Sequence, residues 1–339
     1  MTRLVRLLVV VCVGALMVSC GGEGQGMRPK RIRLSLILGD TSEWYQGAMK
    51  WKELVEARTE GRYRVEVVLN ASRSNNSQGT ELQDVQRGNL EASLESTILL
   101  STTDPVWQVF SFPWLFASHD VANAVCDGPV GQQMFERLGE KGLVGLAYGV
   151  NGFRQITNNQ RPIRTPADLK GLKIRIPQGL PPVLITHFGA SAHLMNFGDL
   201  FVALRTGDMH GEENPLSVIK TAKLASVQNH LTIWNYVYDP IVLCVNKSFW
   251  DKLPEADQKV LRACAKEALD YERGLVAKAD ATLPADLAKE GMAVVRLSAE
   301  QIATFRDKAK GLRPAFEKIV GADLLKRFEQ ACAEAEEGL

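Results

Sequence analysis

The hydrophobic residues of this chain alternate between two spacings. An apolar stretch at residues 32–38 predicts a strand, apolar residues at helical spacing follow it, and alternating apolar residues then predict a second strand. The helical positions are Trp44, Ala48, Trp51 and Val55, and the alternating positions are Val65, Val67 and Leu69. Strands that alternate with helices indicate an α/β fold with a largely parallel sheet. In such sheets, ligands bind beyond the carboxyl ends of the strands.

The same alternation begins again near residue 151, after a strand predicted at residues 143–148. Thr165-Pro166-Ala167-Asp168 is typical of a helix start, because Thr165 can cap the first turn and Asp168 can accept from the amide of the cap. A strand at residues 172–176 and a helix through Leu200 and Leu204 follow. The pattern of the first series thus begins again, although the sequence itself is not repeated. Two such series predict two separate lobes.

The end of the chain is predicted to return to the first lobe. Residues 241–246 form a strand pattern, and a long helix begins at about Pro254, with Pro284 expected to kink or interrupt it. The predicted first lobe comprises residues 31–151 and 240–279, and the predicted second lobe comprises residues 152–239 and 280–339. Segments that cross between two lobes form a hinge, and a long helix spanning both can couple their motion.

The N-terminus has the pattern of an export signal at residues 1–19. Arg3 and Arg6 precede a short apolar stretch that ends in Met17-Val18-Ser19-Cys20, which resembles a bacterial lipobox. The resemblance implies cleavage before Cys20 and a diacylglycerol on its sulfur, with residues 20–30 as a flexible tether to the membrane. The alternative is an ordinary secretory signal with an incidental cysteine.

Charge and cysteine content narrow the possible functions. Loss of Arg3 and Arg6 with the signal changes the formal charge from +1 to −1, which gives no reason to expect binding to nucleic acid or a polybasic membrane contact. No second apolar stretch reaches eighteen residues. The remaining cysteines, Cys126, Cys244, Cys264 and Cys332, show no regular spacing, so no disulfide is predicted.

Motifs for catalysis and for metal or cofactor binding are missing from the sequence, so neither enzymatic activity nor a cofactor is expected. Two arginines offer a different chemistry. Arg154 follows Asn151-Gly152-Phe153, and Arg175 lies in an otherwise apolar strand. A guanidinium can donate two parallel hydrogen bonds to a carboxylate. The alternative is a structural ion pair, which the composition favours for Arg154 and leaves equally open for Arg175.

The region from Asn151 to Pro215 resembles the solute-binding subunits of TRAP transporters, the DctP-type family. The similarity rests on several short motifs in a conserved order and with similar spacing. They are Gly152-Phe153-Arg154, residues 165–175 (TPADLKGLKIR), Gly189-Ala190, Met195-Asn196-Phe197, residues 203–207 (ALRTG) and residues 211–215 (GEENP).

This resemblance implies a type II periplasmic-binding-protein fold, with two lobes around a ligand cleft and a long interlobe helix. It also implies that the protein captures a solute by cleft closure and delivers it to membrane permease subunits driven by an ion gradient. A tetratricopeptide-repeat accessory protein is a further candidate partner, and the protein is expected to act as a monomer. A sensory receptor and a scaffold-like lipoprotein are the alternatives.

Site residues follow from the same resemblance. Arg175 corresponds to the arginine that pairs with the ligand carboxylate, Arg154 to a second cleft arginine, Phe197 to a ring that lines the cleft and Asn214 to an amide that contacts ligand. Core packing of Phe197 and turn formation by Asn214 are the structural alternatives. Weaker candidates are Ile37, Ser96, Asn196 and Tyr236.

The chain departs from the family pattern at several positions. Leu194, His210 and Glu212 replace a common Pro, Asp and Gln, and Ile37 and Ser96 stand about where sialic-acid-binding relatives place polar groups. Buried polar groups of a ligand need partners. The expected ligand is therefore a monocarboxylate with an apolar portion rather than a heavily hydroxylated sugar acid.

Overall fold

The computed structural model describes residues 28–339, so the predicted signal peptide, acylation at Cys20 and most of the tether lie outside the described residues. The strands are β1 (Lys30–Ser35), β2 (Tyr63–Val68), β3 (Ala92–Ser96), β4 (Leu143–Asn158), β5 (Lys173–Ile176), β6 (Ser191–Leu194), β7 (Gly211–Pro215), β8 (His230–Ile233), β9 (Tyr238–Asn246) and β10 (Ala293–Arg296). The helices are α1 (Glu43–Arg58), α2 (Gln78–Arg87), α3 (Thr97–Leu100), α4 (His119–Asp127), α5 (Pro129–Gly139), α6 (Val183–Thr186), α7 (Phe197–Thr206), α8 (Leu216–Thr221), α9 (Lys247–Trp250), α10 (Glu255–Lys289), α11 (Ala299–Ala309), α12 (Arg313–Val320) and α13 (Ala322–Gly338).

Two sheets form the centres of the two lobes, and β4 belongs to both of them. The first sheet has the order β2-β1-β3-β9-β4, and the second continues from β4 through β7 and β5 to β6, with β8 and β10 on a branch. Strand β1 pairs in parallel with β2 and β3, and β5 pairs in parallel with β6 and β7, as predicted. The pairings that β4 and β9 make are antiparallel, because these long strands carry the chain between the lobes.

Strand β4 extends ten residues beyond the end predicted for it. The strand continues through its glycines, with register shifts against β9 between Gly145 and Tyr148 and between Val150 and Gly152. A Cβ on Gly149 would lie 2.8 Å from Oε2 of Glu272 in α10. The glycine therefore allows the helix to approach the strand closely rather than ending the strand.

Helix α10 is the long interlobe helix. Of the kink or interruption predicted at Pro284, the interruption is wrong. The helix continues through Pro284 for five more residues. Leu283 and Leu287 on either side of the proline are buried in the core of the second lobe. Burial of these side chains offsets the hydrogen bond that proline removes.

The C-terminal helices fasten the aromatic segment at residues 110–116 to the body of the protein. Phe316 of α12 meets Phe112 edge to face at 5.2 Å, and Phe328 of α13 meets Phe110 at 5.1 Å. The described cysteines are buried free thiols. Within residues 28–339, no helix is both long and apolar enough to cross a membrane.

Candidate ligand-binding site

A cavity lies between the two lobes, at the carboxyl ends of the strands of both sheets. The first lobe contributes Ile37, Trp44, Gln78 and Ser96, and the second contributes Arg175, Gln178, Phe197, Asn214 and Val218. The connecting strands add Asn151, Arg154 and Asp239. The cavity has a volume of about 30 Å³, so the lobes lie close together around it.

Arg154 is fixed on β4 by two buried carboxylates. The side chain is 2% exposed. Its Nε and Nη2 atoms donate to the carboxylate of Glu213, the latter at 2.7 Å, and Nη1 donates to Oδ2 of Asp239 at 3.1 Å. Although burial lowers the pKa of Arg154, the charge of Glu213 and its hydrogen bond more than compensate, so the pKa is raised. The ion-pair alternative therefore describes most of what this guanidinium does.

Arg175 lies on β5 and is as deeply buried as Arg154, but it has a very different set of partners. Nε and Nη2 both donate to the backbone carbonyl of Met195, at 3.0 and 2.8 Å. In the described part of the chain, the guanidinium forms no ion pair with a carboxylate. Burial lowers its pKa to about 10, against the opposing attraction of Glu212 and Glu213. Arg175 is thus a buried cation at neutral pH that lacks a paired anion.

Asn214 and Glu212 on β7 form a second polar layer. The side-chain amide of Asn214 donates to Oε2 of Glu212, and its carbonyl oxygen accepts from Nη2 of Arg154 at 3.2 Å. Glu212 also accepts from Thr157 at 2.9 Å. Burial raises the pKa of Glu212 to about 7, and the neighbouring Glu213 adds to the shift. Asn214 therefore reaches the cavity with one amide hydrogen left for a ligand.

The structure brings most of the candidate residues to this cavity. Phe197 begins α7, with its ring centroid 6.0 Å from Cζ of Arg175. Ile37 lies two residues beyond the end of β1, and Ser96 is the last residue of β3. Asn196 lies in an adjoining groove with Leu194 and Met195. Tyr236 is outside the lining and donates to Glu213 at 2.8 Å, behind Arg154.

Several lining residues were not predicted from the sequence. Among these residues, Asp239 could most readily have been found from the sequence, because it is the only charged residue in the otherwise apolar strand β9. The same reasoning that singled out Arg175 on β5 applies to it. Trp44, Gln78 and Gln178 carry no comparable signal, since each lies in a helix or loop where its residue type is common.

Two lobes, a cavity between them and a buried arginine without a carboxylate partner define a receptor for a small anionic solute. The chain belongs to the bacterial extracellular solute-binding protein family 7, the DctP family, which matches residues 34–319. A solute-binding protein from Verminephrobacter eiseniae is 37% identical over 280 residues, which cover 82% of each chain.

Solved structures of TRAP periplasmic solute-binding proteins have the same fold. One from Ralstonia eutropha with bound (S)-2-acetolactate has a TM-score of 0.85 and 32% identity, and the match covers 90% of this chain and 99% of that one. One from a Polaromonas species bound to D-erythronate has a TM-score of 0.84 and 32% identity, over 88% and 98% of the two chains. The expected two-lobed α/β fold is confirmed.

Membership of this family confirms the predicted role in transport. The family supplies the solute-binding component of TRAP transporters. This component lies outside the cytoplasm and works with membrane permease subunits. This result favours transport over the sensory-receptor and scaffold alternatives. The family is a substrate-binding component and not a class of enzymes.

Proposed function

We propose that this protein captures a small organic acid through Arg175, encloses it by closure of the two lobes and delivers it to a TRAP permease. The observation that carries the proposal is the buried guanidinium of Arg175 without a carboxylate partner. Burying an unpaired charge is costly, and a ligand carboxylate at this position would offset the cost. The cation–π contact with Phe197 holds the guanidinium from one side.

The remaining candidates have smaller roles in this proposal. Arg154 has one unused hydrogen on Nη1 and holds Asn214 in place, while Asn214 offers one amide hydrogen. Ile37, Trp44 and Phe197 form an apolar wall suited to the hydrocarbon part of a monocarboxylate. The acetolactate-bound relative supports such a ligand, because acetolactate combines one carboxylate with methyl groups.

The division into lobes and the attachment to the membrane are parts of the same proposal. Residues 31–151 and 240–279 form the first lobe, and residues 152–239 and 280–339 form the second. Helices α12 and α13 extend across this boundary to α4 and to residues 105–111. Cys20 carries the lipid anchor, and the protein acts as a monomer with a permease and, in some systems, a tetratricopeptide-repeat protein. Intact-mass spectrometry of the membrane-extracted protein would show the acylated cysteine.

A thermal-shift screen of short organic acids tests the carboxylate anchor. A ligand at a hundred times its Kd stabilises the folded state by about 2.7 kcal/mol, so binding acids are readily detected. We expect Arg175→Ala to lose the shift for every acid that stabilises the native protein.

Arg262→Ala is the matched control for this screen. Arg262 also lacks a carboxylate partner in the described chain, but it donates to the carbonyl of Gly145 at 2.8 Å and lies away from the cavity. We expect this variant to retain the shifts. Full affinity in Arg175→Ala would remove the anchor assignment. Native mass spectrometry that shows only a sugar acid or a C4-dicarboxylate would contradict the apolar monocarboxylate.

A further inference from the structure

Asn151 lines the cavity from the middle of β4 with an amide whose two ends have different surroundings. Its Nδ2 atom donates to Oδ2 of Asp239 at 2.7 Å. Its Oδ1 atom is buried and has no hydrogen-bond partner within the protein. Most buried polar side-chain atoms are hydrogen-bonded. Among the described atoms without a partner, the Oδ1 atom of Asn151 is the one that belongs to a lining residue of this cavity.

The charges around Asp239 determine which end of the amide faces the cavity. The carboxylate also accepts from the hydroxyls of Ser96 at 2.7 Å and Thr97 at 3.3 Å, and from Nη1 of Arg154 at 3.1 Å. The carboxylate accepts all of these hydrogen bonds. The NH₂ group of Asn151, rather than its carbonyl oxygen, must therefore face the carboxylate as well. The carbonyl oxygen is consequently turned away from the carboxylate, at a residue that lines the cavity.

Residues that line the cavity therefore carry unused groups of opposite hydrogen-bonding character. Arg175 presents positively charged donors, and Asn151 presents a neutral acceptor. A ligand hydroxyl would satisfy Asn151, whereas a second carboxylate or a keto oxygen would place one acceptor against another. Sites built to hydrogen-bond a hydroxyl discriminate strongly against analogues that lack it, because the buried partner is left unpaired.

We propose that Asn151 is a specificity-determining residue that accepts a hydrogen bond from a hydroxyl of the ligand, and that the substrate class is a hydroxylated monocarboxylate. The inference rests on the proposed function, in which Arg175 binds the carboxylate. Asp239 and Arg154 act as positioning residues, since they orient the amide. The proposal narrows the apolar monocarboxylate predicted from the sequence to one that carries at least one hydroxyl donor.

The test compares C5 acids of one branched skeleton by isothermal titration calorimetry. Both enantiomers of 2-hydroxy-3-methylbutanoate, and 3-hydroxy-3-methylbutanoate, carry a donor. The reference compounds are 3-methylbutanoate, which has no second polar group, and 3-methyl-2-oxobutanoate, which has only an acceptor. We expect at least one hydroxy acid to bind about tenfold or more tightly than both reference acids.

The variant Asn151→Ala separates recognition from structure. We expect the preference for the hydroxy acid to fall to about twofold or less, whereas a purely structural effect would lower all affinities together. If this variant does not fold, the comparison of the hydroxy and keto acids on the native protein still decides the question.

The outcomes that would overturn the inference can be distinguished from those that would overturn the proposed function. Equal binding of all the acids, abolished by Arg175→Ala, would leave the carboxylate anchor intact and remove the hydroxyl contact. Binding that survives Arg175→Ala, or failure to bind any carboxylate, would remove the proposed function and this inference with it.

Discussion

The surroundings of Arg154 and Arg175 show how partner groups determine what a buried arginine does. Both side chains are at most 2% exposed and lie on strands that border one cavity. Arg154 contacts Glu213 and Asp239, whereas Arg175 contacts a backbone carbonyl. The pKa of Arg154 is accordingly raised, and the pKa of Arg175 is lowered to about 10.

This difference separates a cation that is held by ion pairs from one that has no paired carboxylate in the described part of the chain. The Arg154 network joins β4 to β7 and β9 through the carboxylates of Glu213 and Asp239. Glu212 and Glu213 attract Arg175 without forming an ion pair with it. Under the proposed function, Arg154 maintains the shape of the cavity and Arg175 binds the solute.

The largest predicted effect is on stability, and it should be opposite at the two arginines. Arg154→Met leaves Glu213 and Asp239 buried without their cation, so we expect a loss of about 3–5 kcal/mol in the free energy of unfolding. Arg175→Met removes a buried charge that has no paired anion, so we expect unchanged or increased stability of the ligand-free protein. Urea unfolding after exhaustive dialysis measures both, and equal losses would contradict the comparison.

The second prediction concerns the loop that follows Arg175 and touches the first lobe. Gly179 has a φ of +92°, and its carbonyl accepts from the hydroxyl of Ser101 at 2.9 Å. A Cβ at this position would lie 2.0 Å from the carbonyl oxygen of Ile98. Gly179→Ala should therefore disfavour the closed arrangement, and we expect ligand affinity to fall about tenfold or more, an effect of about 1.4 kcal/mol.

Gly171→Ala provides the control for this prediction. Gly171 also has a positive φ, +78°, but a Cβ there would meet nothing within 4 Å. Calorimetric titration should show nearly native affinity for Gly171→Ala. If both variants lose affinity equally, backbone strain rather than contact between the lobes is responsible, and the loop after Arg175 has no part in closure.

The sequence predicted local features of these regions better than their long-range partners. The predicted hydrogen bond from the backbone amide of Thr165 to Asp168 is confirmed, at 2.8 Å, because it depends on residues three positions apart. The hydroxyl of Thr165 also donates to Asp168, at 3.0 Å, instead of capping the first turn. Arg154 was placed correctly near the cavity, but Glu213 and Asp239 follow it by 59 and 85 residues. No local pattern specifies such pairings, which arise only when β7 and β9 pack beside β4.

Backbone features that depend on tertiary packing were also missed. The glycines of β4 and Pro284 of α10 are breakers by local propensity. In the folded protein, the glycines admit the neighbouring helix, and buried Leu283 and Leu287 hold the helix together. The sequence therefore indicated the order and type of elements, while packing determined how far β4 and α10 extend.

The smallest predicted effect concerns Glu212, which faces Arg175 across the β5–β7 pairing. Burial raises its pKa from 4.5 to about 7, so the folded state holds this proton more tightly than the unfolded state does. Its contribution to stability is present below about pH 4.5 and is lost as the pH rises to about 7. Under the proposed function, the ionised carboxylate above pH 7 would compete with the carboxylate of the ligand for Arg175.

We therefore expect the affinity for an organic acid to fall roughly three- to tenfold between pH 6 and pH 8, with proton uptake on binding near pH 7. Glu212→Gln keeps the shape of the side chain and removes the titration. Its affinity should be nearly constant over this range and higher than that of the native protein at pH 8. Titrations in buffers of different ionisation enthalpy measure the proton uptake directly. A pH dependence that persists in Glu212→Gln would show that another group controls the charge opposite Arg175.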